Sequence, residues 1–217
     1  MAKKKSRTPP PPRPVQAPKR RYQPTTGGFS RRSILIAGAV ALALAAGIAI
    51  AVAATRGGGG GSGDVAKKLL ATGCTFKTYR NLGQAHVQAL TPSPRYNSFP
   101  PTSGPHYVDP APWNFYDSPI DSQVRAVHNL EHGGIVVQWG SGVPAATVEQ
   151  LRGFWQDSPN GMLMAPLPRL GDKIAMTAWT HLATCTRFDE SAFQAFRDAY
   201  RAKGPERFPL SALQPGS

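Results

Sequence analysis

Two cysteines are all that this 217-residue chain contains. Zinc ribbons, iron–sulfur clusters and disulfide-dense scaffolds need more thiolates than that and are excluded. No Cys-x-x-Cys pair occurs, which removes the usual dithiol redox motif. The first 33 residues have no acidic side chain, although they hold ten of the 25 Lys and Arg residues. From Arg56 onward 15 basic residues stand against 12 acidic ones, a balance of +3 where the whole chain carries +13. The basic character therefore belongs to a tail, and a nucleic-acid reading drawn from net charge loses its footing. A phosphate-cradling loop is missing as well, because the glycine run Gly57–Gly61 lacks a Lys-Ser/Thr ending and follows no strand. Ser103, between Thr102 and Gly104, has no strand–turn–helix elbow to make it a nucleophile.

Residues 1–33 contain seven prolines and the run Lys3-Lys4-Lys5, a composition with too little to bury for a fold. They read as a disordered tail. Ile34–Ala54 then offers 21 residues without charge or proline, which as a helix span roughly 30 Å, the thickness of a bilayer's hydrocarbon core. With Arg31 and Arg32 at its start and only Arg56 just after it, the charge bias puts the tail in the cytoplasm and the remainder outside. A cleaved signal peptide is the alternative, with Ala51-Val52-Ala53 as processing site and Ser30-Arg31-Arg32 echoing a twin-arginine signal. The run exceeds the usual 7–15-residue signal core, so an anchor is the better reading. Both readings imply export. The tail's cations would attract anionic lipid at about 1 kcal/mol each near the surface. Residues 55–63 form a glycine-rich tether, leaving 64–217 as one exported domain with a core of ordinary size.

In that domain Asp64 is placed to cap a short helix through Leu70 that stops at Gly73. Eight prolines between Thr91 and Pro119 exclude regular structure there and mark a long loop of functional interest. Ile135–Trp139 suits a buried strand, Ala146–Gln156 an amphipathic helix, Met162–Leu167 and Lys173–Leu182 two more strands, and Glu190–Ala202 a last helix ending before Gly204-Pro205. That order predicts an α+β fold with an antiparallel or mixed sheet.

Cys74 and Cys185, in an oxidising compartment, are expected to pair as a structural disulfide. Five histidines lie in the same domain. His128 and His132 are four residues apart, which on a helical turn puts both imidazoles on one face and lets them clamp one metal ion. His106, in a proline-stiffened loop, is the candidate third nitrogen, and Glu131 would orient a histidine or a bound water from behind the ligands. Zinc and copper both suit such a set. The bland alternative is a non-catalytic interaction domain whose histidines hydrogen-bond a tight turn. His128–His132 also spells His-x-x-Glu-His, the pattern of inverted zinc metallopeptidases, but a strand-like run follows Gly133-Gly134 directly and leaves little helix to seat it. Met162, Met164 and Met176 would be soft copper ligands if they faced the histidines; methionine on a buried strand more often fills the core. Trp113, Trp139, Trp155 and Trp179 read as core and loop anchors.

Three stretches together carry a resemblance: Pro100–Tyr107 (Pro-Pro-Thr-Ser-Gly-Pro-His-Tyr), Val127–Gly134 (Val-His-Asn-Leu-Glu-His-Gly-Gly) and Thr177–Trp179 (Thr-Ala-Trp). With them the chain, from roughly Gly73 to Pro205, resembles the bacterial family catalogued as domain of unknown function three-one-zero-five. The resemblance implies an anchored, exported domain, usually with one N-terminal span, whose activity is not established. His106, His128 and His132 fall inside its signature stretches, Cys185 sits where the family's cysteine is expected, and the methionines lie outside.

Overall fold

Every residue of Ile135–Trp139 is apolar or β-branched except Gln138, a pattern that needs cover on both faces of a strand. The computed structural model, which describes residues 60–217 and side chains from 63 onward, supplies that cover. The basic tail and the apolar run expected to span a membrane lie outside the described residues. Among the described residues no helix is long and apolar enough to cross a membrane. In chain order the elements are helix α1 (Gly60–Ala71), strands β1 (Thr75–Thr78), β2 (His86–Val87) and β3 (His106–Tyr107), helix α2 (Gln123–Glu131), strand β4 (Ile135–Trp139), helix α3 (Ala145–Asp157), strands β5 (Met162–Pro166), β6 (Ile174–Ala178) and β7 (His181–Cys185), and helix α4 (Glu190–Tyr200).

Five strands form one sheet in the order β1-β7-β6-β4-β5. All neighbours are antiparallel except β4 and β5, which run parallel with α3 as the crossover between them. The fold is α+β with a mixed sheet. On one face Ile135, Val137, Trp139, Met162, Met164 and Met176 pack against Leu69 of α1, Leu151 and Phe154 of α3, and Phe193 and Phe196 of α4. On the other, Val136, Leu163 and Ala165 meet Ala126 and Leu130 of α2 together with Trp113. The methionines thus fill the core, at 1% exposure or less.

Several elements differ from the sequence expectation. Strand β3 lies inside Thr91–Pro119, whose prolines were expected to exclude regular structure; it is only two residues long and pairs with β2 through residues that are not proline. Strands β1 and β2 and helix α2 have no counterpart among the elements expected from the sequence. Lys173–Leu182 is not one strand; it folds back as the β6–β7 hairpin about Trp179-Thr180, with Ala178 opposite His181. Thr180 takes φ 64°, a conformation that the usual hairpin residues Asn, Asp or Gly would have advertised and Thr does not. Its N–H donates to the Thr102 carbonyl at 2.9 Å, so the proline-rich loop holds the turn from outside. Helix α1 begins at Gly60, inside the stretch read as a tether, so Asp64 lies within the helix rather than at its cap. Its partner there is Lys67, at 3.7 Å. Packing of Val65 and Leu69 into the core outweighs the poor helix propensity of glycine.

The expected disulfide is present. Cys74 directly precedes β1 and Cys185 ends β7, and the pairing of Thr75 with Thr184 brings them face to face. The bond closes the sheet's outer edge.

Candidate metal centre

Helix α2 starts at Ser122, whose Oγ accepts the Val124 N–H at 3.1 Å, and ends at His132, whose N–H donates to the His128 carbonyl. Within Val127–Gly134 each residue has a distinct role. Leu130 fills the core. Asn129 accepts the Ala111 N–H at Oδ1 (3.0 Å) and donates from Nδ2 to the Ala111 carbonyl (2.8 Å), clamping the preceding loop as a strand partner would. Gly133 turns the chain at φ +85°, and a Cβ on Gly134 would sit 2.1 Å from the Trp113 ring. His128 and Glu131 are left, one turn apart, directed toward β2 and β3.

The proline-rich stretch Pro100–Tyr107 is equally committed. Ser103 Oγ accepts the Leu82 N–H at 3.2 Å, the Pro105 carbonyl accepts from the Tyr96 hydroxyl at 2.7 Å, and the His106 N–H donates to the Ala85 carbonyl at 3.0 Å. That last bond belongs to a short parallel ladder, β2 with β3, whose register sets His86 opposite His106. Trp179, from the third signature stretch, stands edge-on to His106 with ring centroids 6.4 Å apart.

Three imidazoles therefore converge on one carboxylate oxygen. Glu131 Oε2 lies 2.8 Å from His106 Nε2, 3.5 Å from His86 Nε2 and 3.8 Å from His128 Nε2. The ring centroids make a nearly equilateral triangle, with sides of 4.8, 4.9 and 4.8 Å. His106 Nδ1 faces the Gly104 carbonyl at 2.8 Å and His128 Nδ1 the Tyr107 carbonyl at 2.7 Å. A carbonyl only accepts, so both Nδ1 atoms carry the proton, and a neutral ring then presents its Nε2 lone pair to the centre. A bare lone pair and a carboxylate oxygen at 2.8 Å repel, so the His106–Glu131 contact needs a shared positive charge, either a proton or a metal ion. Glu131 Oε1 is occupied separately, accepting from Gln84 Nε2 at 2.9 Å. Side-chain exposure is 0% for His106, 2% for Glu131, 7% for His128 and 44% for His86, so the centre is buried with one histidine at its rim.

One ligand atom from each of His86, His106, His128 and Glu131 lies within 4.8 Å of the others, as required of residues that can hold one ion. Tetrahedral ligands about 2.0–2.1 Å from zinc are about 3.3 Å apart, and the three distances to Glu131 straddle that value. His132 turns elsewhere. Its Nε2 meets Glu206 Oε2 at 3.1 Å, and its ring lies 4.4 Å from that of Phe208 and 4.5 Å from that of His128. Burial pushes the His128 pKa down, against the hydrogen bond to Tyr107, and burial together with the neighbouring His128 pushes His132 down.

Of the residues singled out by sequence, His106 and His128 come together, and Glu131 stands among the ligand atoms rather than behind them. His132 faces Glu206. His86 was not singled out, because Gln84-Ala85-His86-Val87 has no spacing that ties it to another ligand. His181 is remote from this cluster, stacked on Tyr200 at 4.3 Å with its Nδ1 on the Trp179 carbonyl.

Fold and centre together define a mixed-sheet α+β domain built around a buried histidine–carboxylate cluster. The family described as "Protein of unknown function (DUF3105)" matches residues 86–210, more than half of the chain, and the chain belongs to it. The matched stretch opens on His86 and takes in His106, His128, Glu131, His132 and Glu206, while Cys74 falls outside it. No curated protein and no solved structure matches the chain.

Proposed function

We propose that this protein is a membrane-anchored, extracytoplasmic metal-binding module that holds zinc or copper through the Nε2 atoms of His86, His106 and His128 and a carboxylate oxygen of Glu131. The convergence of three imidazoles, from β2, β3 and α2, on one carboxylate oxygen carries the reading. A purely structural cluster would place hydrogen bonds along those lines; His106 to Glu131 at 2.8 Å has that length, while the His128 distance of 3.8 Å is beyond a hydrogen bond. Metal-binding histidines as a rule donate their second N–H to a carbonyl or carboxylate, and His106 and His128 both do so. Three nitrogens and one oxygen suit zinc, and Cu(II) by affinity order. The core position of the methionines leaves Cu(I) without soft ligands at this centre. Export is supported by the apolar run Ile34–Ala54, by the arginines before it and by the disulfide. Hydrolysis ranks below binding because Glu131 is directed at the ligand nitrogens and His132 at Glu206, where a peptidase would need Glu131 free to activate water and both histidines on the ion.

The test is calorimetric titration of the full-length chain with Zn(II), Cu(II) and Cu(I), beside a His106→Ala/His128→Ala variant whose fold is checked by circular dichroism. One equivalent bound at micromolar or tighter affinity, and lost in the folded variant, is expected. Absence of binding by the unaltered chain would discard the metal reading in favour of an interaction domain with structural histidines.

A further inference from the structure

Two ligand sets overlap at this centre. One is His86, His106, His128 and Glu131; the other is His128, Glu131, His132 and Glu206, again with one ligand atom from each within 4.8 Å of the rest. Both contain His128, whose Nδ1 is bound to the Tyr107 carbonyl and whose single remaining lone pair is at Nε2. One nitrogen lone pair serves one ion. The sets are therefore alternatives rather than the halves of a dinuclear centre.

The second set is built as deliberately as the first. After α4 the chain runs back along the end of α2, where the Ala202 N–H donates to the Gly133 carbonyl at 2.7 Å and the Glu206 N–H to the Glu131 carbonyl at 3.0 Å. Gly204 lies so close that a Cβ there would stand 2.2 Å from the Glu131 carbonyl oxygen. This strap delivers the Glu206 carboxylate to His132 and lays Phe208 against the His132 ring. His132 and Glu206 are 15% and 42% exposed, against 0% for His106 and 44% for His86, so both sets reach solvent at one ligand and the fully enclosed nitrogen, that of His106, belongs to the first.

Resting on the metal-binding reading above, we propose that a single ion has two stations that share His128 and Glu131. The inner station is completed by His86 and His106, the outer by His132 and Glu206, and the outer one is the route of loading and release. Passage between them exchanges two ligands while two stay attached, which avoids stripping the ion bare in one step. His132 and Glu206 then govern the speed of exchange more than the depth of binding. Because Kd is the ratio of the two rates, loading and release change in step when the route is impaired.

The experiment loads the full-length chain with Zn(II) and follows release to an excess chromophoric chelator by stopped flow, with Kd measured in parallel. His132→Ala and the isosteric Glu206→Gln are compared with His106→Ala. Release and loading are each expected to slow by about tenfold or more in the first two, which is about 1.4 kcal/mol on the exchange barrier, while Kd changes far less than in His106→Ala. Release at the unaltered rate in both variants overturns the proposal and leaves the inner site intact. A Kd loss in His132→Ala as large as in His106→Ala, or two ions bound at saturation, overturns it also. Failure of the unaltered chain to bind Zn(II) removes both this proposal and the reading beneath it.

Discussion

Replacing both Cys74 and Cys185 by Ser removes the link that closes a span of 111 residues. Loop-closure entropy for a span of that length is about 16 cal/mol/K, which is about 4.8 kcal/mol at 25 °C. In a domain of this size each kcal/mol moves Tm by about 2–4 °C, so a fall of about 10–20 °C is expected. The outer edge should loosen first, since β1 is an edge strand with mostly exposed side chains. Val65 and Leu69 still tie α1 to the core, and Phe76 still lies 6.1 Å from Tyr200. The centre is carried by β2, β3 and α2, none of which is bridged, so metal affinity should stay within a few-fold of the unaltered chain. Thermal unfolding by near-ultraviolet circular dichroism, metal-free and with chelator present, reads the effect. A Tm drop under about 3 °C would refute the entropic reasoning, because it would mean that α1 and β1 are confined near β7 without the bond.

Burial holds His181 below the ordinary histidine value, against its hydrogen bond to the Trp179 carbonyl, and the same holds for His128 and His132. Below about pH 6.5 the unfolded chain binds more protons at these three histidines than the folded one, so their contribution to the stability of the metal-free protein is present above that value and is lost as pH drops through it. Urea unfolding at pH 7.5 and 5.5 of the unaltered chain and of His181→Phe, which keeps a ring against Tyr200, checks the sign: the variant should show the smaller acid loss, and an equal or larger one would contradict it. Gly204→Ala forces a methyl group against the Glu131 carbonyl and the Gly133 N–H and lifts the strap, at a cost of about 1–3 kcal/mol in urea unfolding. An unchanged midpoint would show that the strap yields without loss.

Much of the architecture was legible because it is local. The β-branched run of β4 and the apolar stripe of α4 are each set by periodicity within a dozen residues. Helix α2 was not read from the sequence, although its Ser122 cap is a local signal. The pairing of Cys74 with Cys185 followed from compartment and number rather than shape. The β6–β7 hairpin was hidden because its turn uses Trp179 and Thr180, and what holds Thr180 in place is Thr102, far away in the chain.

The sequence by itself determined that, on a helical turn, His128, Glu131 and His132 share one end, since spacings of three and four residues admit no other arrangement on a helix; that the stretch is helical came from the fold. It did not decide which way each would be used. That choice belongs to what arrives from outside the helix. On one side the parallel register of His86 with His106 brings two nitrogens to Glu131; on the other the strap after α4 brings Glu206 to His132. His86 had no local signature because its role rests on a two-residue strand pairing across 20 residues of proline-rich loop, a contact that only the folded chain creates.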